Sequence, residues 1–195
     1  MELELKKIIE IQNRINEVRK IHENMMITLG FEVFRSITEY DNYEVSNFGN
    51  VKNKQTARIL KPGKDTHGYY FVNLCKNGKH KSFKIHRLIA IAFIDNPLNK
   101  PYIDHINNQR TNNNLSNLRW VTSKENSMNS SMSCKNTSGI KGVCWHKRDR
   151  RWQVFIMLNS KQIYLGLYNT LEEAKIARQL KAKELFGEFM NHCEL

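Results

Sequence analysis

The chain has 195 residues, of which 40% are hydrophobic and 26% charged, enough for one ordinary globular domain or two to three small ones. No run approaches the roughly eighteen apolar residues of a membrane helix, and the opening "MELELKK" is not a basic leader, so an intracellular fate is expected rather than a membrane or secreted one. The net charge of +12 is the footprint of a phosphate-bearing partner: residues 1–30 carry five Lys/Arg against five Asp/Glu, residues 31–133 fifteen against eight, and residues 134–195 eleven against six.

Residues 3–26 read as one amphipathic helix within an N-terminal segment 1–30. Ile8, Ile11, Ile15 and Val18 recur at alternating steps of three and four, and Gly30 is a stop. Packing of this seam against the rest of the chain is expected; the alternative is a homodimeric coiled coil, for which the heptads are few.

From residue 31 to about 80 the period becomes strand-like. "YEVSNFGNVKN" gives two extended pieces around Asn47 and Gly49, and Asn77-Gly78 between alternating runs predicts a tight hairpin. "HRLIAIAF" follows as a short buried helix or strand, closed by Asn96-Pro97, and opens a segment 81–130. Within it "PYIDHI" reads as a strand ending near Asp104-His105 and "NLRWVT" as a second. Thr122 and Glu125 are spaced as a capping box for a helix that carries Asn126. Residues 131–138, rich in Ser and Asn, read as a linker.

The tail, residues 139–195, predicts three strands in hairpin succession and then a helix with Thr170 and Glu173 at its start and Gly187 at its end. Alternation puts Trp152, Val154, Ile156 and Leu158 on one face and Arg151, Gln153, Phe155 and Met157 on the other. Likewise Ile163, Leu165 and Leu167 oppose Tyr164, Gly166 and Tyr168. The apolar faces are expected to meet the helix through Ala174 and Ala177. Cys75, Cys134, Cys144 and Cys193 include no C-x-x-C pair, which predicts reduced thiols and no structural zinc.

The stretch "YIDHINNQRTNNNLSNLRWVTSKENSMN" carries the chemistry. Breaking a phosphodiester needs a base for water and a cation for the charge that develops on phosphate. His105 can be that base near neutral pH. Asp104 and the amide oxygen of Asn126 suit a hard cation such as Mg²⁺, with Mn²⁺ the alternative. Asn117 can accept from the other imidazole nitrogen and fix the tautomer. Strict alternation would put Asp104 and His105 on opposite faces, so both reach one site only if the strand ends or bends between them.

The spacing D-H-x(11)-N-L-R-W-V-T-x(3)-N resembles that of the HNH nucleases of the ββα-metal superfamily, in their homing-endonuclease branch. The resemblance implies His105 as general base, Asp104 and Asn126 as ligands of one divalent metal, and Asn117 as the residue that positions the histidine. Here the third motif letter is Asn, and Asn107-Asn108 stands where relatives often have Asp-Gly. His86, which opens "HRL", is expected to be structural.

Upstream, "SITEYDNYEVSNFGNVKNKQTARILKP" resembles the modular DNA-binding element found ahead of such nucleases, without its usual tryptophan. Lys52, Lys54, Arg58, Lys61 and Lys64 are its candidate phosphate contacts, and Tyr43 and Tyr69 its expected core. Downstream, residues 139–195 resemble the ethylene-response-factor type of DNA-binding domain, which implies a sheet laid in the major groove with Lys141, His146, Arg148, Arg151, Gln153 and Tyr164 toward DNA. Arg119 joins the DNA contacts from the nuclease hairpin.

The expectation is therefore an α+β protein: a small β-rich element, a central ββα-metal nuclease, and a C-terminal three-stranded sheet with a helix. Its expected function is metal-dependent, site-directed cleavage of double-stranded DNA, by a monomer that nicks or a dimer that cuts both strands. A non-cleaving DNA-binding transcriptional regulator is the rival reading. A structured-RNA binder is a third, unsupported by any RNA-recognition signature.

Overall fold

The computed structural model describes residues 2–130, 132 and 136–191. The expected linker lies outside the described residues at 131 and 133–135, as do Cys134 and Cys193. Cys75 and Cys144 are free thiols. The fold is α+β, built from small antiparallel sheets in two compact units: Met1–Asp65 with Tyr70–Phe93, and Thr66–Tyr69 with Ile94–Leu195.

The first unit opens with helix α1 (Glu2–Thr28). Its apolar seam does not pack as expected: Ile8, Ile11, Ile15 and Val18 are 62%, 57%, 42% and 65% exposed. Only the last turns are held, with Met26 and Ile27 half-buried and Glu23 accepting from Arg35 Nε at 2.8 Å. The seam is too short to reach a core that begins only after Gly30.

That core lies in two three-stranded sheets. Strands β1 (Phe34–Ile37), β2 (Tyr40–Ser46) and β3 (Val51–Asn53) form one, and β4 (Gly63–Lys64), β5 (Tyr70–Lys76) and β6 (Lys79–Lys84) the other. Tyr43, Val45, Val51, Val72 and Leu74 are buried there with Ile85, Leu88 and Ile89 of helix α2 (Ile85–Phe93). The predicted Asn77-Gly78 turn closes β5–β6, both residues adopting the left-handed backbone that such a hairpin requires (φ 52° and 73°). α2 takes the helical option for "HRLIAIAF" and buries His86. It groups with the first unit, so the 81–130 segment expected from sequence is divided after Phe93.

In the second unit, β7 (Tyr102–His105) pairs with β8 (Leu118–Val121), and helix α3 (Ser123–Met128) follows directly. The predicted capping box forms: Glu125 N donates to Thr122 Oγ1 at 3.2 Å and Thr122 N to Glu125 Oε2 at 2.7 Å. Strands β9 (Val143–His146), β10 (Arg151–Leu158) and β11 (Lys161–Tyr168) form the tail sheet, covered by helix α4 (Leu171–Phe186) with its own capping box at Thr170 and Glu173.

The β10 faces follow simple alternation, with Trp152, Val154, Ile156 and Leu158 toward the helix. β11 does not. A bulge at Leu165 lets Val154 pair with Gly166 while Phe155 pairs with Tyr164. Beyond this extra residue the parity inverts, so Tyr168 packs on the core opposite Trp152, and Leu167 lies opposite Gln153 on the other face. On α4 the buried row is Ala174, Arg178, Ala182 and Phe186, a spacing of four that leaves Ala177 half-buried beside it. Arg178 Nε donates to Lys141 O at 2.9 Å. Gly142, next to it, has φ 72°, and a Cβ there would lie 2.3 Å from Phe155 O.

Candidate active site

β7 ends at His105, so Asp104 and His105 sit at the strand's exit and are both buried (7% and 5% exposed). Their side chains meet different partners. Cross-strand pairing sets Asp104 opposite Arg119, whose Nη2 and Nε donate to Asp104 Oδ2 at 2.9 and 3.1 Å. Asn129, at the C-cap of α3 and 1% exposed, donates from Nδ2 to both carboxylate oxygens (3.0 and 2.8 Å) and to His105 O (3.1 Å). One amide thus ties the carboxylate to the backbone of the residue beside it.

The His105 ring has Asn113 Oδ1 3.3 Å from its Nε2, and Tyr69 stands 5.8 Å away between ring centroids. An amide oxygen only accepts, so Nε2 carries the proton and the neutral ring holds its lone pair on Nδ1. Burial lowers the His105 pKa below the ordinary histidine value, and the nearby Arg110 acts the same way, while the Asn113 hydrogen bond and the Asp104 charge pull it up; the net direction is down. Arg110 is held by its Nη1 on His67 O at 2.7 Å and lies 5.1 Å from the Tyr69 ring centroid. The segment Thr66–Tyr69 therefore belongs to this site rather than to the core of the modular element, where the sequence suggested Tyr69 would be.

The amides between the strands build the loop. Asn117 Oδ1 accepts from Asn107 N (3.0 Å), and its Nδ2 donates to Asn112 O (2.8 Å). Asn107 Oδ1 takes Gln109 N, Asn114 Oδ1 takes Ser116 N, and Asn108 Nδ2 reaches Asn129 Oδ1. Asn108 itself adopts φ 60°, which asparagine tolerates better than most residues. Both ends of the Asn117 amide are thus used on the loop, and the amide on the imidazole is Asn113. The expected bond from Asn117 to the imidazole is not made; its amide ties Asn107 to Asn112 in the loop that follows His105.

Among the described residues, no group of three His, Cys, Asp or Glu side chains is placed to hold a metal. A hard cation takes one or two carboxylates and keeps water and phosphate oxygens as its other ligands. Asp104 Oδ1 accepts a single hydrogen bond, from Asn129, and so retains lone-pair capacity. Asn126 sits exposed in the first turn of α3, its N–H on Thr122 O. The asparagine that touches Asp104 is one helical turn further on, at 129. The second Asn of "ENSMN", spaced by three, was its only signal in the sequence.

Several of the proposed DNA contacts have partners within the chain: Lys52 and Lys54 on Glu44 (3.2 and 3.9 Å), Arg119 on Asp104, and Lys141, whose Nζ donates to Met128 O and Ser130 O (3.1 and 2.7 Å). Arg58 and Lys61 are exposed beside a cleft lined by Tyr43, Asn53, Thr56 and Leu60. On the tail sheet, Arg151 pairs with His146 and Gln153 with Cys144, and Tyr164 is 56% exposed on the face away from α4. Arg148 extends from the β9–β10 turn with Asp149 at 3.0 Å, and His146 Nδ1 lies 3.3 Å from the same carboxylate.

Two stretches of the chain match known families. Residues 32–75 match the NUMOD4 motif and residues 83–128 the HNH endonuclease family. An uncharacterized HNH endonuclease, L245, of Acanthamoeba polyphaga mimivirus is 43% identical over 86 residues, 44% of this chain and 26% of its own length. DNA endonuclease I-HmuI of Bacillus phage SP01 is 38% identical over 94 residues, 48% of this chain and 54% of that enzyme. Protein 3.8 of Escherichia phage T7 is 36% identical over 88 residues, 45% of this chain and 72% of that protein. The solved structure of I-HmuI, described as an HNH homing endonuclease that binds and cleaves DNA, superposes with a TM-score of 0.47 over 49% of this chain and 55% of its own. The chain thus spans about a quarter of the mimivirus relative and about half of I-HmuI.

Proposed function

Since the chain belongs to the HNH endonuclease family, we propose that it is a metal-dependent DNA endonuclease of homing type that hydrolyses a phosphodiester of double-stranded DNA at a directed site. The observation that carries this reading is the pair at the end of β7: a buried, neutral imidazole whose Nε2 is held by Asn113, next to a carboxylate held by Arg119 and Asn129.

In the reaction, His105 Nδ1 takes a proton from water as the water oxygen bonds to phosphorus, and the bond from phosphorus to the departing sugar oxygen breaks. Asp104 at the end of β7, with Asn126 on α3 as the second candidate, would hold one divalent cation, Mg²⁺ or Mn²⁺, which would supply neutralisation of the charge on the phosphate and on the departing oxygen. Burial keeps His105 uncharged at neutral pH, so no proton need be shed before it acts. Low formal charge in the amide-built loop lets a phosphate approach without a wall of carboxylates.

Arg58, Lys61, Arg148 and Arg151 supply phosphate contacts, and Gln153 and Tyr164 lie on the sheet face that reads base edges in the ethylene-response-factor type of domain. One nuclease centre per chain corresponds to nicking by a monomer.

The test is a supercoiled plasmid carrying the DNA around the gene's own locus, incubated with the native chain or His105→Ala in Mg²⁺, Mn²⁺ or EDTA. Metal-dependent conversion to open circle by the native chain, slowed about 10²–10⁴-fold in the variant, is the expected result. A linear product would mean paired strand cuts by two chains. Binding without cleavage in either metal would replace the nuclease with the DNA-binding regulator.

A further inference from the structure

Helix α3 is six residues long, and its last carbonyls have no continuing turn to pair with. They are taken by donors from far along the chain. Lys141, two residues before β9, places Nζ on Met128 O and Ser130 O (3.1 and 2.7 Å). Asn191, beyond α4, donates from Nδ2 to Asn129 O and Ser130 O (2.7 and 2.8 Å) and is 2% exposed. The two ends of the C-terminal module therefore converge on one helix end.

That helix end is Asn129, whose side chain holds Asp104. A second route reaches the same carboxylate. Arg119 Nη1 donates to Glu188 O at 2.6 Å, and its guanidinium stacks 4.6 Å from the Phe189 ring centroid while Nη2 and Nε hold Asp104. The residues leaving α4 thus grip both groups that orient the carboxylate, one by its backbone and the other by its guanidinium.

We propose that the C-terminal module, besides any part in DNA recognition, sets the nuclease centre: Lys141, Phe189 and Asn191 are positioning residues that fix Asp104 through Asn129 and Arg119. The inference rests on reading Asp104 as the carboxylate that holds the metal. A planar guanidinium and a buried amide have few alternative orientations once stacked and hydrogen-bonded, so the carboxylate is aimed before metal or DNA arrives. Removing the grip leaves Asp104 free to pair with Arg119 in other geometries, and the ligand direction is lost while the sheet's outer face is untouched.

The full-length chain carrying Phe189→Ala with Asn191→Ala tests this through three readouts: binding of Mn²⁺ alone by electron paramagnetic resonance, duplex DNA binding in EDTA by fluorescence anisotropy, and single-turnover plasmid nicking. Mn²⁺ affinity and nicking rate should each fall about 10–100-fold, while DNA affinity stays within about twofold. Phe189→Tyr, which keeps the ring under Arg119, should behave as native. Asn191→Asp keeps the volume but replaces the donor with an acceptor, and should lose Mn²⁺ affinity even if the double variant does not fold. Native Mn²⁺ affinity in a folded variant, or a loss of rate matched by a loss of DNA affinity, would overturn the proposal. A native chain that binds Mn²⁺ but leaves DNA intact would overturn the nuclease reading alone, since the Mn²⁺ comparison still decides the clamp.

Discussion

A histidine that must take a proton from water works near neutral pH only if it is uncharged there, and the surroundings of His105 press it that way. Its pKa lies below the ordinary value of 6.5 because burial disfavours the charged ring. The acid limb of the single-turnover rate against pH should therefore fall below 6.5, and a limb above it would contradict the assignment. The fold feels the same shift. The stabilisation from holding this ring neutral is complete above the unfolded value and is lost as pH drops through the lower folded one. Asn113→Ala should slow nicking about 10–100-fold by releasing the tautomer and, by removing a bond that raises the pKa, should move the acid limb further down. That Asp104, His105 and the loop asparagines gather in one place was legible in the sequence because their spacing is local. Asn113 was hidden among three consecutive asparagines, 112–114, and only the loop's path decides which one meets the ring. Tyr69 was invisible for a different reason, since it meets His105 across a distance in the chain that no periodicity records.

Elements whose ends are encoded by neighbouring residues came out as the sequence read them. Both capping boxes and the Asn77-Gly78 hairpin are contiguous patterns, and each forms. Thr122→Ala should cost about 1 kcal/mol, measured by urea unfolding, because Glu125 N loses its acceptor at the start of α3. The β11 faces were half right: alternation holds to Tyr164 and fails beyond the bulge at Leu165, an extra residue that pairing geometry absorbs without a compositional mark. Gly142 is more exacting than any cap. Its left-handed backbone and the nearness of Phe155 O leave no room for a side chain, so Gly142→Ala should destabilise by more than about 2 kcal/mol in the same experiment. An unchanged midpoint would mean that the β9 entry can move away from Phe155, and with it Lys141.

For the molecule as a whole, the excess of basic residues predicts binding that weakens steeply with salt. Log affinity for duplex DNA should fall linearly with log salt concentration, by about 0.9 per phosphate contact, and Arg148→Ala or Lys61→Ala should each reduce the slope by about one. An unchanged slope would remove that residue from the contacts. Helix α1 shows the limit of reading amphipathicity alone: its period was right, but a period does not say whether a partner surface exists nearby. Ile8→Asn and Ile15→Asn should each change unfolding stability by less than about 0.5 kcal/mol at low protein concentration, as befits exposed positions. The division of the chain was also only partly legible, because strand and helix patterns do not reveal which segments pack together, and α2 sides with the first unit. Lys141 and Asn191, fifty positions apart yet anchored on three successive carbonyls with that of Ser130 in common, make the C-terminal module a cassette plugged into its host by both prongs. If the tail sheet reads DNA as proposed, anyone redirecting the enzyme by grafting a foreign sheet would have to transplant the prongs along with it; a chimera that brings only the reading surface would find its target and leave it whole.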